Sequence, residues 1–460
     1  MLNFEDIKRF KHLFIQSLKS KPVNSEVSFL AWVAYRPRCL GKVCFLDVVD
    51  STGIIQVVVE TTALEKQGDW TTIRSLLPES SVTIRGILTR QMDSSPNSMT
   101  TEVHAKSITV ISMASKTLHP AIRCSLERLA PEHAPRILAK PHLYLRNPVS
   151  INIGKFRAEV LRSVRQWFYS HAFLELSAPL MTASTLYEPN SALTIGNLVK
   201  GNKPTMFLSQ CAGFYLEAAA HAHERVYNLG PSFRNESRTN RHLMEYWHIK
   251  AEIASGTLDD IISLVEIFLR DIRNDVEASG TPLTSSLAAI FPPAFQLPFP
   301  RITYLEAQAY LSRLDPEIEF GQNISGKQER QLTEHFCKEG LSPLWITHKP
   351  RQLEPFPYSI HPTDLRLTMT ADLVAPNGYG EICGVAEKSY CLSDLDERLQ
   401  EKRKTGAEEY QWVRELWEFG MVPHVAFGMG LERLLRWWIG ARHVKDTIPF
   451  PRVFGRIPLP

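Results

Sequence analysis

The sequence predicts an α+β chain in two parts: a small all-β barrel, then a larger domain in which helices flank an antiparallel sheet. Three observations predict it. Residues 27–115 hold short runs rich in β-branched residues, separated by Gly, Asp, Ser and Pro. Pro120, Pro131, Pro135, Pro141 and Pro148 then punctuate a linker. Beyond it, helical patterns such as 152–170 and 257–278 mix with strand-like stretches such as 205–209, 247–253 and 378–383.

Taken in order, residues 1–20 read as an amphipathic helix with Phe4, Ile7, Phe10, Phe14 and Leu18 on one face. The runs VSFLAWVAY, VCFLDVVD, GIIQVVVE, SVTIRGILT and EVHAKSITVIS follow as strands. About five strands in roughly 90 residues suggest a closed barrel, and the OB-fold is the common barrel of this size in nucleic-acid binding; any small β-barrel would give the same pattern. The expected divisions are 1–118 for the barrel with its helix, 119–145 for the hinge and 146–460 for the α+β domain. Residues 279–300 (SGTPLTSSLAAIFPPAFQLPFP) form a Pro-rich connection inside it. There is no internal repeat.

Hydrophobic residues at 44% and charged residues at 22% exclude a disordered tail, a collagen and a disulfide miniprotein. A net charge of +3 permits an RNA partner without arguing for one. None of the seven cysteines forms a C-x-x-C pair, which argues against structural zinc. Their odd number, with a charged N-terminus (MLNFEDIKRFKHLF) lacking an apolar core, points to a reducing, cytoplasmic setting. No apolar run reaches about 18 residues, so no membrane partner is expected.

Three motifs carry chemistry. Gly428-Met429-Gly430-Leu431-Glu432-Arg433 joins two glycines, which let a flat ligand approach backbone, to a helix start with a planar guanidinium. Alone it also reads as a tight turn. Phe233-Arg234-Asn235-Glu236, with Arg238, Arg241, His242, Glu245 and Tyr246, reads as a charged strand–loop–strand unit. It could clamp a triphosphate through Arg forks, or be a solvated hairpin of ion pairs. Asp372 and Glu381 could hold Mg²⁺ with phosphate oxygens, or be two surface acids.

Their order on one α+β domain resembles the class II aminoacyl-tRNA synthetases. The helix KFRAEVLRSVRQWFYSHAFLEL leading to Pro179 resembles that family's first motif, and PHLYLRNP its approach to the catalytic domain. Within the class, FLSQ…FYLEAA, GPSFRNESRTNRHLMEYWHIKAEIA, PFPRITYLEA, DLVAPNGYGEICG and VPHVAFGMGLERL…IPFPR resemble the asparaginyl-tRNA synthetases of the aspartyl/asparaginyl subgroup. Trp32-Val33…Gly41-Lys42…Phe45…Asp50…Gly53…Gln56 resembles the subgroup's OB anticodon module.

The resemblance implies an ATP-dependent ligase that activates asparagine, or a related acid, as an adenylate and transfers it to tRNA. It implies ATP and Mg²⁺ as cofactors, asparagine-type tRNA as partner, and a homodimer built on Pro179 and its helix; no DNA partner is implied. Arg234 and Arg433 would be the catalytic residues. Arg234, Glu236, Arg241, His242, Tyr246, Glu381, Gly430 and Arg433 would hold ATP, and Asp372 and Glu381 the metal. Phe45 would stack on the central anticodon base and Gln56 would read it; Phe45 could equally be a barrel-core ring.

The amino-acid pocket departs from the family. Gly213 stands where the family has Gln, Val385 replaces Gly, Lys388 replaces Arg and Trp417 replaces Arg. Glu217 keeps the position associated with the asparagine side chain, and Glu188 matches an α-amino ligand shifted by one. Glu188, Gly213, Glu217, Lys388 and Trp417 are therefore the expected amino-acid-binding set. The changes touch this pocket and spare the ATP residues. They admit a second reading, a paralogue that adenylates another carboxylic acid and passes it to a non-tRNA amine, and a third, a non-catalytic binder.

Overall fold

The computed structural model describes residues 14–64, 69–92, 99–116, 138–183, 191–196, 206–236, 239–280, 291–337, 342–404 and 410–456. It divides into two compact units, residues 1–128 with 146–151, and 129–145 with 152–460.

The first unit is a barrel. Its strands are β1 (Glu26–Val33), β2 (Arg38–Leu40), β3 (Val43–Asp50), β4 (Gly53–Glu60), β5 (Ser81–Met92) and β6 (Met99–Ser112). They run in the order β1-β5-β6-β4-β3-β2, and a β1–β3 pairing closes the ring. Alternation drives the closure: Cys44, Leu46 and Val48 on β3 and Val27, Phe29, Ala31 and Val33 on β1 all point inward. Ile15 and Leu18, on the short helix Ile15–Lys19, join that core. Asp50 fastens the helix, accepting from the Ile15 N–H at 2.7 Å and from Thr52 and Gly53 in its own turn. Phe14 is 50% exposed, because it precedes the helix rather than lying on its apolar face. Phe4, Ile7 and Phe10 lie outside the described residues.

Cys39 and Cys44 face each other in the β2–β3 pairing and are joined as a disulfide. This differs from the expectation of a reduced chain. A tight hairpin sets the two Cα atoms 4.0 Å apart, a proximity that spacing rules for metal sites do not register.

The second unit is built on an eight-stranded sheet. Strand β7 (Leu174–Glu175) starts it. A separate small sheet holds β8 (Met181–Thr182), β9 (Leu193–Gly196) and β10 (Met206–Leu208). The large sheet continues with β11 (Arg225–Phe233), β12 (Glu245–Ala254), β13 (Arg301–Thr303), β14 (Leu344–Thr347), β15 (Thr370–Ala375), β16 (Gly380–Lys388) and β17 (His424–Gly430). Its order is β13-β14-β15-β16-β17-β12-β11-β7. All its pairings are antiparallel except β13–β14 and β11–β7.

One sheet face is covered by the long helix Leu258–Ala278, whose Phe268 packs on Phe168 and Phe427. A capping box at Thr257 and Asp260 starts this helix, satisfying backbone donors that a helix end leaves free. The other face is small and polar along β12, β16 and β17, while toward β14 its Leu344, Ile346 and Val374 pack in an apolar core with Leu311 and Leu332 of the helices Tyr304–Leu314 and Gly326–Phe336. Among the described residues, no helix is long and apolar enough to cross a membrane.

Candidate active site

The cross-strand registers place one set of side chains together. His248 faces Gly430, Lys250 faces Gly428 and Glu252 faces Ala426 between β12 and β17. Gly384 faces Gly428, Ala386 faces Ala426 and Lys388 faces His424 between β16 and β17. Alternation puts these on one face, with glycines and alanines as the floor and charges toward both ends. A Cβ at Gly428 would lie 3.3 Å from Lys250 Cε and 3.5 Å from His248 Nε2, a close but tolerable fit that would put bulk on the floor.

At one end is an open cleft of about 120 Å³, lined by Arg234, Glu236, Arg241, His242, Tyr246, Glu381, Gly430 and Arg433 among others. All eight residues expected to hold ATP therefore line one space. The β11–β12 hairpin supplies five of them. Glu381 comes from β16, and Gly430 caps the helix Leu431–Trp438 that carries Arg433. The Arg234 guanidinium lies 5.9 Å from the Tyr246 ring centre. His242 Nε2 is 2.9 Å from Glu236 Oε2 and 3.1 Å from Arg433 Nη2. Burial alone would raise the Glu236 carboxyl; the His242 hydrogen bond, then the charges of His242, Arg234 and Arg433, hold it at about 2 instead. It is held as an anion at the wall of the cleft. Arg433 Nη1 donates to the Glu381 carbonyl at 3.1 Å. Arg241 pairs with Glu329 on the helix Gly326–Phe336 at 2.5 Å, close over Gly380. That glycine has φ +79°, and a Cβ on it would lie 2.1 Å from Arg241 Nη1.

Asp372 and Glu381 lie on the β15–β16 hairpin beside this cleft. Burial pushes the Asp372 carboxyl up to about 7, and Glu381 and Glu354 add to this against Lys349, whose Nζ is 2.7 Å from Asp372 Oδ2. Burial also works against Glu381, but Arg433, Lys349, Arg234 and Arg241 keep it below the usual carboxylate range. Glu381 raises the proton affinity of Asp372, and a hard divalent cation is a group that two such neighbouring carboxylates could hold.

The other end is closed. Glu217, from the helix Gly213–His223, reaches Lys388 Nζ at 3.1 Å and His424 Nε2 at 2.8 Å. Lys388 is also 2.6 Å from Glu252. Glu217, Glu252 and His424 are 0% exposed and Lys388 is 2%. Burial opposes ionisation of Glu217, yet Lys388 and His424 hold it low; burial raises Glu252. Burial would also discharge Lys388, but the two glutamates push it up. Gly213 is buried at the start of the Glu217 helix. Trp417 sits in an apolar cluster with Phe214, Phe356, Leu395 and Val413, its ring 6.4 Å from that of His424. So the structure joins Glu217 to Lys388 and sets Trp417 behind them. Glu188 lies outside the described residues.

On the barrel, the phase of β3 is now fixed. Cys44 and Leu46 point inward, so Phe45 is half-exposed on the outer face. Phe45 pairs with Val58 and Asp47 with Gln56, which puts Phe45 and Gln56 on that same face.

Sequence reasoning missed Glu329, Lys349, His248, Glu252 and His424. For His248 and Glu252 a signal existed: Tyr246, His248, Lys250 and Glu252 alternate along one strand at a period of two.

Comparison with known proteins gives the family and agrees with the fold. Residues 134–453 match the family model of tRNA synthetases class II (D, K and N), and residues 27–111 match that of the OB-fold nucleic acid binding domain. The chain is 34% identical over 449 residues to the asparagine–tRNA ligase of Desulforamulus reducens, covering 95% of this chain and 97% of that protein. It superposes with a TM-score of 0.85 on asparaginyl-tRNA synthetase from Pyrococcus horikoshii complexed with asparaginyl-adenylate, at 30% identity, over 98% of this chain and 100% of that one. The Entamoeba histolytica asparaginyl enzyme shares the fold, with a TM-score of 0.81 at 24% identity over 96% of this chain and 98% of that one.

Proposed function

Because this chain belongs to the class II tRNA synthetases of the D, K and N group, and so is a ligase, we propose that it activates asparagine with ATP and transfers it to a tRNA. The observation that carries the reading is the gathering of Arg234, Glu236, Tyr246, Glu381 and Arg433 around one cleft at the end of a glycine floor. The amino-acid carboxylate attacks the α-phosphorus in line, and pyrophosphate leaves. Arg234 and Arg433 stabilise the charge that grows on the phosphoryl oxygens, and no covalent enzyme intermediate is needed. Tyr246 offers adenine a ring face, and Glu236 accepts from its amino group. Asp372 and Glu381 would hold Mg²⁺, which supplies neutralisation of phosphate charge when bound.

The tRNA partner is supported by the match to a nucleic-acid-binding barrel and by Phe45 and Gln56 on its outer face. A homodimer is supported by exposed apolar groups around Pro179: Leu174, on the outermost strand, Leu180 and Met181 are all at least 42% exposed. The same reading places the chain in the cytoplasm, with the tRNA it charges.

The test is ATP–pyrophosphate exchange with each standard amino acid. An asparagine-dependent signal supports the reading. ATP binding without any such signal would sink it and favour a repurposed ligase.

A further inference from the structure

His248 has no role in the reading above, yet it occupies the middle of the catalytic face. Its ring lines the cleft with Arg234, Arg433 and Glu381. Tyr246, His248, Lys250 and Glu252 project from β12 on the same side. At about 3.3 Å per residue, His248 stands about 7 Å along the strand from the adenine-facing Tyr246, and about 13 Å from Glu252 in the closed cluster. That interval is where a nucleotide phosphate would meet an amino-acid carboxylate.

The ring's orientation follows from its neighbours. Nδ1 lies 3.3 Å from the Oγ of Ser232, which is 1% exposed. We assign the donor role to Ser232 and the acceptor role to Nδ1, the tautomer that the proposal requires. This assigns the remaining proton to Nε2. Nε2 hangs over Gly428, 3.5 Å from where a Cβ would be. The groups facing the ring are Tyr246 and Lys250 on its own strand, Ser232 on β11, Arg234 beyond β11 and Arg433 from the following helix; β17 presents only Gly428 and Gly430. Burial first, then Lys250, Arg234 and Arg433, hold the imidazolium form well below its ordinary range. The ring is neutral at physiological pH and can donate without adding another cation.

We propose that His248 is a further catalytic residue of the adenylation step, its Nε2–H donating to the oxygen that gains negative charge as the substrate carboxylate attacks the α-phosphorus. The proposal rests on the adenylation reading. In the step, a bond forms between the carboxylate oxygen and the α-phosphorus. The bond from that phosphorus to the bridging oxygen breaks, and pyrophosphate departs with the electron pair. His248 lends a hydrogen bond and keeps its proton.

The experiment is steady-state pyrophosphate exchange with asparagine on wild type, His248→Met, His248→Gln and Ser232→Ala, with thermal melting of each. Met keeps length without a donor, whereas Gln keeps an N–H. The expected result is a kcat about 100-fold lower for His248→Met, the loss typical of one missing transition-state donor. KM values should hold within about threefold, and Gln should recover roughly tenfold of the loss. Ser232→Ala, which frees the tautomer, should lower kcat by less. An unchanged kcat in His248→Met overturns the proposal. Equal deficits in Met and Gln variants that melt like wild type overturn it as well. If His248→Met does not fold, the Gln and Ser232→Ala variants decide: wild-type kcat in Ser232→Ala with a Gln deficit of more than about 100-fold rejects the donor role. Wild type without asparagine-dependent exchange is a separate result, which fells the substrate reading and this proposal with it.

Discussion

The two ends of the catalytic face carry similar chemistry under opposite solvation. At the ATP end, the side chains of Arg234, Arg241 and Arg433 are 27%, 25% and 24% exposed. At the amino-acid end, Lys388 is 2% exposed and its partners Glu217 and Glu252 are 0%. Charges at the first end are held near water, ready for a ligand. Those at the second are sealed from water and paired with one another through Lys388. In the first region an arginine's removal should cost chemistry, and in the second a lysine's removal should cost the fold.

The largest expected effect tests that directly. Lys388→Met leaves two buried glutamates without their cation, and urea unfolding should show a loss of about 3–5 kcal/mol. A loss under about 1 kcal/mol would mean that water reaches the cluster, and the contrast would collapse. Next, Arg234→Ala should lower pyrophosphate exchange by about 10²–10³-fold or more. Its stability should change by no more than about 1 kcal/mol, because the side chain is partly solvated. Normal exchange would remove the active-site assignment.

A smaller effect is expected from His424→Gln, which keeps a polar group beside Glu217 but alters its 2.8 Å contact. A loss of about 1–3 kcal/mol is the scale for a buried acceptor left poorly matched. The smallest concerns acid. Glu236 is depressed to about 2 from an unfolded value near 4.3. Its contribution is therefore present above about pH 4.3 and lost as pH falls toward about 2. Glu236→Gln should flatten the stability curve across that window, by about 1 kcal/mol after solvent screening. An unchanged acid limb would show that the His242 contact does not persist in solution.

The same contrast governs what could be read from the amino-acid sequence. The Gly428–Arg433 motif is local: strand end, glycine cap and helix follow within a few residues, so its geometry was legible. The barrel strands were legible for a similar reason, since alternation along each run selects a face. Phe45 was not settled, because a run as apolar as VCFLDVVD fits either phase until packing buries Cys44 and Leu46. The closed cluster was harder still. Glu217 meets Lys388 across 171 positions and His424 across 207. Nothing local distinguishes a lysine facing a substrate from one facing two glutamates. The Lys-for-Arg exchange at position 388 was visible, but its consequence depends on Glu252, which no motif had singled out. The Cys39–Cys44 pairing was lost for want of register, and register is a property of the hairpin.

The floor of the face has an evolutionary consequence. At Gly428 and Gly384 bare backbone forms the floor, and an added Cβ would stand 3.3 Å from Lys250 Cε, 3.5 Å from His248 Nε2 or, at Gly384, 3.4 Å from the Asp372 carboxylate. Any side chain there would fill space above the floor. A change of preference that keeps this floor falls on the walls, such as the helix bearing Glu217 or the hairpin loop beyond Arg234. The floor acts as an inherited mould, and innovation is confined to its rim.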